Sequence, residues 1–325
     1  MVSKHHKQWA LILFAIAVVC FADGDIPSAT ARLNQNVTGI IDTHEHFYEG
    51  GNIEDFLRLS AGLGIEKTVF FPTGSAPDND GYIENMEALL ELQHKYPDRI
   101  IAFCTVDVEE PDSAEIFEDC LNNGGKGLKL LSGHPDFYTT PLNSPNIQRL
   151  FEVAALRDVP VVLHVSMYHL PKAAEEFKDL LDRFPTVRVQ VPHYCSTLYE
   201  GVHLEICADL LDRYPNVYVD LSMGEGIERY FNYMREDISP IKDFILKYQD
   251  RITYGTDIVL SDDEPSNDSR WLLNRMLCDF SALQEDEVYC PAIPSTGENP
   301  VPGFSLPEDV LHKIFVENPR NILNI

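Results

Sequence analysis

The chain has 325 residues, of which 44% are hydrophobic and 24% charged, an ordinary globular composition with enough chain for a large core. Its formal net charge of −27 argues against nucleic acid as a partner, because an acidic surface repels phosphates. The length suits either two small domains or one barrel and does not decide between them.

The N-terminus has the pattern of a secretion signal. Lys4 and Lys7 give it a positive start, and residues 9–22 form an apolar run that is too short to span a bilayer comfortably. The sequence therefore predicts a signal peptide over residues 1–22, a short leader over 23–38 and a secreted or periplasmic protein with no membrane span in the mature chain. An uncleaved N-terminal membrane anchor is the alternative.

Six cysteines remain after residue 22, and an even number in an exported protein permits disulfides. Cys278 and Cys290 bracket a loop, which makes them the best candidate pair. Cys104 lies in an apolar strand-like run, which predicts a buried thiol in the core.

From residue 39 onward, strand-like and helical patterns alternate. The predicted strands are 39–47, 68–74, 100–107, 127–131, 159–165, 187–193, 217–222 and 252–257, and the main helices between them are 82–96, 113–121, 147–157, 172–184, 204–214 and 227–248. Continuously apolar strands indicate burial on both faces and hence a parallel sheet. Eight such units predict an α/β fold, a single-domain (β/α)8 TIM barrel over 39–325. An open doubly wound sheet is the alternative, weakened because no glycine-rich phosphate loop follows the first strand.

The first strand carries three polar residues at alternate positions, Asp42, His44 and His46. Side chains alternate faces along a strand, so these three point to one side. Neutral imidazole is a common ligand for zinc and its neighbours. Taken alone, a His-x-His pair is a weak signal that could also arise by coincidence at a strand end.

Other strands also end in polar residues. His164, His193 and Asp257 stand where apolar runs stop, and Lys129 lies within the fourth strand. Barrel active sites lie at the carboxyl ends of the strands, so these side chains should converge on one mouth. Each histidine by itself could be a hydrogen-bonded core residue, but a metal ion would satisfy all of these buried polar groups at once.

This combined pattern, with Gly255-Thr256-Asp257 at its end, resembles the metal-dependent hydrolases of the amidohydrolase superfamily. It is most similar to the amidohydrolase-related family that includes enzymes of the aminocarboxymuconate-semialdehyde decarboxylase type, whose C-terminal signature residues 318–323 also resemble. The resemblance implies one divalent metal held by His44, His46, His164 and Asp257, with His193 acting on water or substrate and Asp257 able to move a proton. Three nitrogens and one carboxylate suit Zn²⁺, with Mn²⁺ or Fe²⁺ as alternatives.

Three further residues are candidate substrate contacts: Lys129, His134 and Arg270. Some superfamily members carry a carboxylated lysine on strand four that bridges two metals, so Lys129 has that alternative role. His134 could equally be an exposed loop histidine. Arg229 and Arg235 are alternatives to Arg270 as the residue that binds a substrate carboxylate.

The resemblance permits three functions on a small-molecule substrate, in a chain that could also form homo-oligomers. The first is hydrolysis of an amide, ester or lactone by an activated water. The second is non-oxidative decarboxylation of a small acid. The third, a catalytically inactive binding protein of the same fold, ranks last because none of the five histidine and aspartate positions is lost.

We expect export to remove the N-terminal segment. Mass spectrometry of protein from its native host should find a mature N-terminus near Asp23 or Arg32, because small residues precede both positions. Soluble cytoplasmic protein that retains Met1 would contradict the prediction.

Overall fold

The computed structural model describes residues 37–72, 81–263, 265–290 and 300–325, so the predicted signal peptide and most of the leader lie outside it. The strands are β1 (Ile40–Phe47), β2 (Ile65–Pro72), β3 (Ile100–Ala102), β4 (Cys104–Thr105), β5 (Leu128–Gly133), β6 (Val161–Val165), β7 (Val189–Val191), β8 (Val217–Asp220), β9 (Ile252–Thr253), β10 (Val259–Leu260), β11 (Glu287–Val288) and β12 (Val301–Pro302).

The helices follow the strands in the expected alternation. They are α1 (Ile53–Gly62), α2 (Tyr82–Lys95), α3 (Ser113–Asn122), α4 (Pro145–Arg157), α5 (Pro171–Arg183), the short turn α6 (Pro192–Ser196), α7 (Leu204–Arg213), α8 (Ile227–Asp237), α9 (Ser239–Lys247), α10 (Ser269–Gln284), α11 (Glu308–His312) and α12 (Asn318–Leu323). None of the helices in the described part of the chain is long and apolar enough to cross a membrane.

The strands form a closed parallel barrel. One sheet has the order β10-β1-β2-β3 and the other β4-β5-β6-β7-β8-β9, and every pair within them is parallel. Only Phe103 separates β3 from β4, and its amide donates to Phe70. At the other seam, the amide of Thr43 in β1 donates to the carbonyl of Tyr254, which follows β9. The predicted (β/α)8 barrel is therefore confirmed, and the open doubly wound sheet was wrong.

Alternation along the strands gives the barrel two apolar layers. Val69 and Phe71 of β2 belong to a small cluster completed by Ile101, Phe103 and Val162. Phe70, between them, belongs to the large core that the helices cover. Successive strand residues face opposite sides, so the small cluster fills the barrel interior and the large one lies between strands and helices.

One predicted helix is two helices in the structure. The helical pattern over 227–248 is interrupted at Ile238, where α8 ends and α9 begins. Pro240 lies in the first turn of α9, and proline cannot donate the backbone bond that an uninterrupted helix would need there. The side chain of Asp237 instead accepts from the amide of Ser239 at 3.0 Å.

All six cysteines of the described chain are paired. The Cys278–Cys290 bridge confirms the predicted pair, and Cys195–Cys207 is a further bridge. The interpretation of Cys104 as a free core thiol was wrong, because it pairs with Cys120 of α3. The apolar surroundings of Cys104 disguised this pairing, since a buried thiol and a buried disulfide look alike in a hydrophobic run.

We expect non-reducing peptide mapping to recover these three pairs. Replacing Cys104 and Cys120 together with alanine should lower the free energy of unfolding by about 3 kcal/mol, because the bridge closes a loop of 16 residues in the unfolded chain. Chemical denaturation of the two proteins measures the difference. Free thiols at Cys104 and Cys120 in oxidised protein would contradict the assignment.

Candidate metal and catalytic site

Three predicted ligands form a close triangle at the mouth of the barrel. The Nε2 atoms of His44 and His46 are 3.3 Å apart, and Asp257 Oδ1 lies 3.3 Å from the first and 3.4 Å from the second. Ligands about 2.1 Å from a tetrahedral ion are roughly 3.4 Å from one another. The nitrogen and carboxylate donors of this triangle therefore fit one divalent ion such as Zn²⁺ or Mn²⁺.

Backbone contacts at the barrel seam bring Asp257 to the histidines. Its amide donates to the carbonyl of His44 at 2.8 Å, and its own φ of 55° is left-handed. A Cβ on Gly255 would lie 2.7 Å from the Cβ of His44, so only glycine permits this approach. The sequence Gly255-Thr256-Asp257 therefore has a steric reason as well as a chemical one.

Asp220 of β8 orients the site from below. It is fully buried and accepts from His44 Nδ1 at 2.8 Å, from Gln190 Nε2 at 2.7 Å and from the amide of His193 at 3.0 Å. Burial by itself would raise the pKa of Asp220, but the charges and hydrogen bonds of His44 and its neighbours lower it below its usual range. Because His44 Nδ1–H donates to Asp220, Nε2 carries the lone pair that faces Asp257.

The Nε2 atom of His193 lies beside the triangle of His44, His46 and Asp257. Its Nδ1 lies 2.8 Å from the carbonyl of Ser222, which can only accept, so Nδ1 carries the proton. In the neutral ring Nε2 is then the nitrogen with the lone pair, and it lies 3.8 Å from Asp257 Oδ2. Ligand atoms of His44, His193 and Asp257 lie within 4.8 Å of one another. His193 is therefore close enough to act as a base beside the triangle or to join it as a ligand.

His164 is buried beside His193 but points its Nε2 elsewhere. That atom is 3.1 Å from Ser196 Oγ and 3.3 Å from Ser166 Oγ, and the rings of His164 and His193 are 5.1 Å apart. Burial, followed by the charge of His193, lowers the pKa of His164 well below its ordinary value, so the ring is neutral. The structure thus brings His164 into the site without placing it in the triangle, and its assignment as a ligand stays a prediction.

Lys129 is buried in the barrel interior. Its Nζ lies 3.1 Å from His44 Nε2 and 4.4 Å from the ring centre of Phe71. Burial lowers the pKa of Lys129 to about 8, against the opposing charges of Asp257 and Asp220. Its ammonium and a metal ion would compete for the same lone pair of His44.

The other predicted substrate contacts differ in how far their side chains are buried. The ring of half-buried His134 packs against that of His164 at 4.8 Å, which puts it at the edge of the site. Arg270 is exposed in the first turn of α10, and Arg229 is exposed with its guanidinium over Tyr199. Their roles in substrate binding stay predictions.

An arginine that the sequence reasoning missed does reach the site. Arg275 of α10 is buried, pairs with Asp279, and donates to the carbonyls of Thr256 at 3.0 Å and Gly224 at 3.2 Å. It thereby joins the loops after β8 and β9 next to Asp257. Its signal in the sequence was the i,i+4 pair with Asp279, which also fits an exposed helix face.

Glu45 was also missed, although it lies between the two ligand histidines. Its carboxyl group accepts from Thr256 Oγ1 and from the amide of Ile258 at 2.8 Å, the residues on either side of Asp257. Burial and then the negative charge of Asp42 raise the pKa of Glu45 well above its ordinary value. Glu45 therefore fixes the Asp257 loop without facing the triangle.

A parallel (β/α)8 barrel with histidines and a carboxylate gathered at the carboxyl ends of its strands is an arrangement typical of metal-dependent barrel enzymes. The family model described as Amidohydrolase matches residues 41–325. The chain therefore belongs to that family, as its resemblance implied. A search of curated proteins found no match.

Solved structures share the fold at low sequence identity. A 2,6-dihydroxybenzoate decarboxylase from Rhizobium is 19% identical with a TM-score of 0.54, covering 89% of this chain and 99% of that one. A probable 2-pyrone-4,6-dicarboxylic acid hydrolase from Acinetobacter baumannii is 16% identical with a TM-score of 0.58, covering 89% and 100%. A 5-carboxyvanillate decarboxylase from Novosphingobium aromaticivorans, complexed with manganese, is 16% identical with a TM-score of 0.53, covering 90% and 97%.

We expect Gly224→Ala to disturb the triangle. A Cβ at Gly224 would overlap Asp257 Oδ2, and the φ of Gly224 is +45°, so Asp257 must move. Affinity for Zn²⁺ or Mn²⁺, measured by titration calorimetry, should fall at least about 10-fold, as for other disturbed ligand supports. Gly226→Ala is the matched control, because its Cβ would meet only Met223 Cε at 3.6 Å. Equal affinities in the two variants would contradict this reading of the site.

Proposed function

We propose that this chain is a metal-dependent hydrolase that uses an activated water on a C–N or C–O bond, in an amide, ester or lactone of a small molecule. The observation that carries the proposal is the triangle of His44, His46 and Asp257, with the free Nε2 of His193 beside it. Zn²⁺ is the proposed ion, and Mn²⁺ or Fe²⁺ are alternatives. His164 belongs to the proposed ligand set by family resemblance.

His193 and Asp257 have different roles in the proposed reaction, because one accepts a proton and the other stabilises the charge that results. A divalent ion bound by the triangle would supply Lewis acidity for water activation or for charge neutralisation on a substrate. His193 Nε2 can take a proton from an attacking water, because its Nδ1 proton is fixed on the carbonyl of Ser222. The carboxylate of Asp257, whose Oδ2 lies 3.8 Å away, can stabilise the imidazolium that forms, and the imidazolium can then give this proton from Nε2 to the leaving group.

Decarboxylation of a small acid is the second candidate, and Lys129 is the observation that favours it. A buried ammonium beside His44 can hold a substrate carboxylate through a charge-assisted hydrogen bond. Two of the structural relatives described above are named as decarboxylases of aromatic acids, and a third as a hydrolase of a pyrone dicarboxylic acid. An inactive binding protein is the weakest candidate, because His44, His46, His193 and Asp257 are all present and close together.

The proposal includes export to a secreted or periplasmic location. Three disulfides in the described chain support an oxidising compartment, because such bridges are rare in the cytosol. The apolar run near the N-terminus supplies the targeting signal.

A substrate panel separates the two reactions. Protein loaded with Zn²⁺, Mn²⁺ or Fe²⁺ is incubated with lactones, esters, amides and aromatic acids, and acid release and carbon dioxide release are followed in parallel. A hydrolase should incorporate ¹⁸O from labelled water into its acid product and release no carbon dioxide. Carbon dioxide from an aromatic acid, without hydrolysis of any ester, lactone or amide, would replace the first proposal by the second.

Variants separate ligands from the proton-transfer residue. His44→Ala or His46→Ala should lower metal content, stability and activity together, because two remaining donors of the triangle hold an ion poorly. His193→Ala should keep the ion while activity falls by roughly 10²–10⁴-fold. His94→Ala, an exposed histidine of α2, is the control and should change none of these.

Elemental analysis measures the metal content of each variant, and steady-state kinetics measures its activity. If His193→Ala empties the site, His193 is a ligand and the division of roles is wrong. Wild-type protein that binds no divalent ion under any loading condition would refute the metal-dependent function.

A further inference from the structure

The turn that carries His193 has an unusual backbone. His193, Tyr194, Cys195 and Ser196 have φ values of 58°, 51°, 57° and 53°, so four consecutive residues other than glycine are left-handed. The left-handed conformation is sterically unfavourable for each such residue, because its Cβ comes too close to the following carbonyl oxygen. A turn of this kind persists only where its surroundings hold it in place.

Each residue of the turn is held by a different part of the barrel. The His193 amide donates to Asp220 of β8 at 3.0 Å, and the Tyr194 hydroxyl shares a 2.8 Å hydrogen bond with Tyr230 of α8. Cys195 forms the disulfide with Cys207 of α7. Ser196 Oγ lies 3.1 Å from His164 Nε2 on β6. The turn thus begins and ends on two histidines of the site, and its one covalent attachment lies between them.

We propose that the Cys195–Cys207 bridge positions His193 and Ser196, and that the site reaches its working geometry only when this bridge is oxidised. The inference rests on the proposed function for its activity readout. Reduction would leave only noncovalent contacts against the cost of four left-handed residues, so the turn would relax toward the right-handed region. His193 Nε2 would then leave Asp257, and Ser196 would release His164.

The Cys278–Cys290 bridge provides a control within the same chain. Cys278–Cys290 closes a loop of the same sequence separation as Cys195–Cys207, 12 residues, so its loss should cost a similar unfolding free energy. It joins α10 to the segment after β11, and the described residues of these two elements include none of the site histidines. A purely structural role for Cys195–Cys207 therefore predicts that the two deletions behave alike.

The first experiment compares Cys195→Ala/Cys207→Ala with Cys278→Ala/Cys290→Ala, using the substrate that the panel identifies. We expect kcat to fall by roughly 10–100-fold in the first variant, with KM within about 2-fold of wild type, because small misplacements of a catalytic group have such effects. The second variant should keep the wild-type kcat at an equal loss of melting temperature. Equal kcat values in the two variants would overturn the proposal.

A glycine variant tests the cause. Cys195→Gly/Cys207→Ala also lacks the bridge, but glycine adopts positive φ without steric cost. Its kcat should exceed that of Cys195→Ala/Cys207→Ala by about 5-fold or more, the effect of one relieved left-handed residue. If the alanine variant does not fold, Cys195→Ser/Cys207→Ser, which lacks the bridge but keeps a Cβ at residue 195, replaces it in the comparison with Cys278→Ala/Cys290→Ala, and equal kcat values again overturn the proposal.

A spectroscopic readout is independent of turnover. With ¹⁵N-labelled histidine, the ring signals of His193 should show a single tautomer in wild type and in Cys278→Ala/Cys290→Ala, since its Nδ1 faces the carbonyl of Ser222. The ring signals of His164, whose Nε2 lies beside Ser196 Oγ, should be the same in these two proteins. In Cys195→Ala/Cys207→Ala the His193 signals should average between tautomers and the His164 signals should shift. Unchanged signals would overturn the positioning role. If wild type turns over no panel substrate, the proposed function fails, while these spectra still decide the role of the bridge.

Discussion

The site depends on one buried carboxylate. Asp220 accepts from His44, from Gln190, from the amide of His193 and from both the amide and the hydroxyl of Ser222. An unpaired carboxylate in the interior would cost several kcal/mol, and these donors satisfy it from three different strand ends. Its charge also decides which nitrogen of His44 keeps the proton. Asp220 therefore sets the orientation of the first strand's histidine and of the turn after β7 at the same time.

Closure of the barrel and assembly of the site are the same event. Asp257 lies on the segment between β9 and β10, and this segment pairs with β1 through backbone bonds at Thr43 and His44. Glu45 and Arg275 hold the two sides of that segment from within the sheet and from α10. Because the last strand must pair with the first before Asp257 meets the histidines, the triangle cannot form in a partly folded chain. A bound ion would accordingly stabilise the closed barrel as a whole.

Sequence reasoning succeeded where the signal is local. The strand–helix alternation, the His-x-His pair of β1 and the polar residues at strand ends are each visible within a few residues, and parallel topology then brings them together. It missed Asp220 and Arg275 because their partners come from strands and loops far away in the chain. Asp220 did leave a trace, as a charged residue in the otherwise apolar strand Val217–Asp220.

No local sequence pattern predicts the backbone conformation of the α6 turn. Left-handed turns are predicted from glycine or asparagine, and His193-Tyr194-Cys195-Ser196 contains neither. The conformation is imposed by partners on β6, β8, α7 and α8, which no local pattern contains. For the same reason Cys104 read as a thiol, since its partner lies on a helix 16 residues away.

Two groups beside the triangle differ in chemical character. His193 Nε2 offers a lone pair beside Asp257, while Lys129 offers a buried positive charge between His44 and the ring of Phe71. The buried ammonium of Lys129 supports the proposed decarboxylation, because it could hold the carboxylate of a substrate acid. Only hydrolysis requires a base that removes a proton from water. The Nδ1 contact of His193 with the carbonyl of Ser222, which leaves Nε2 to act as the base, therefore supports the proposed hydrolysis over the proposed decarboxylation.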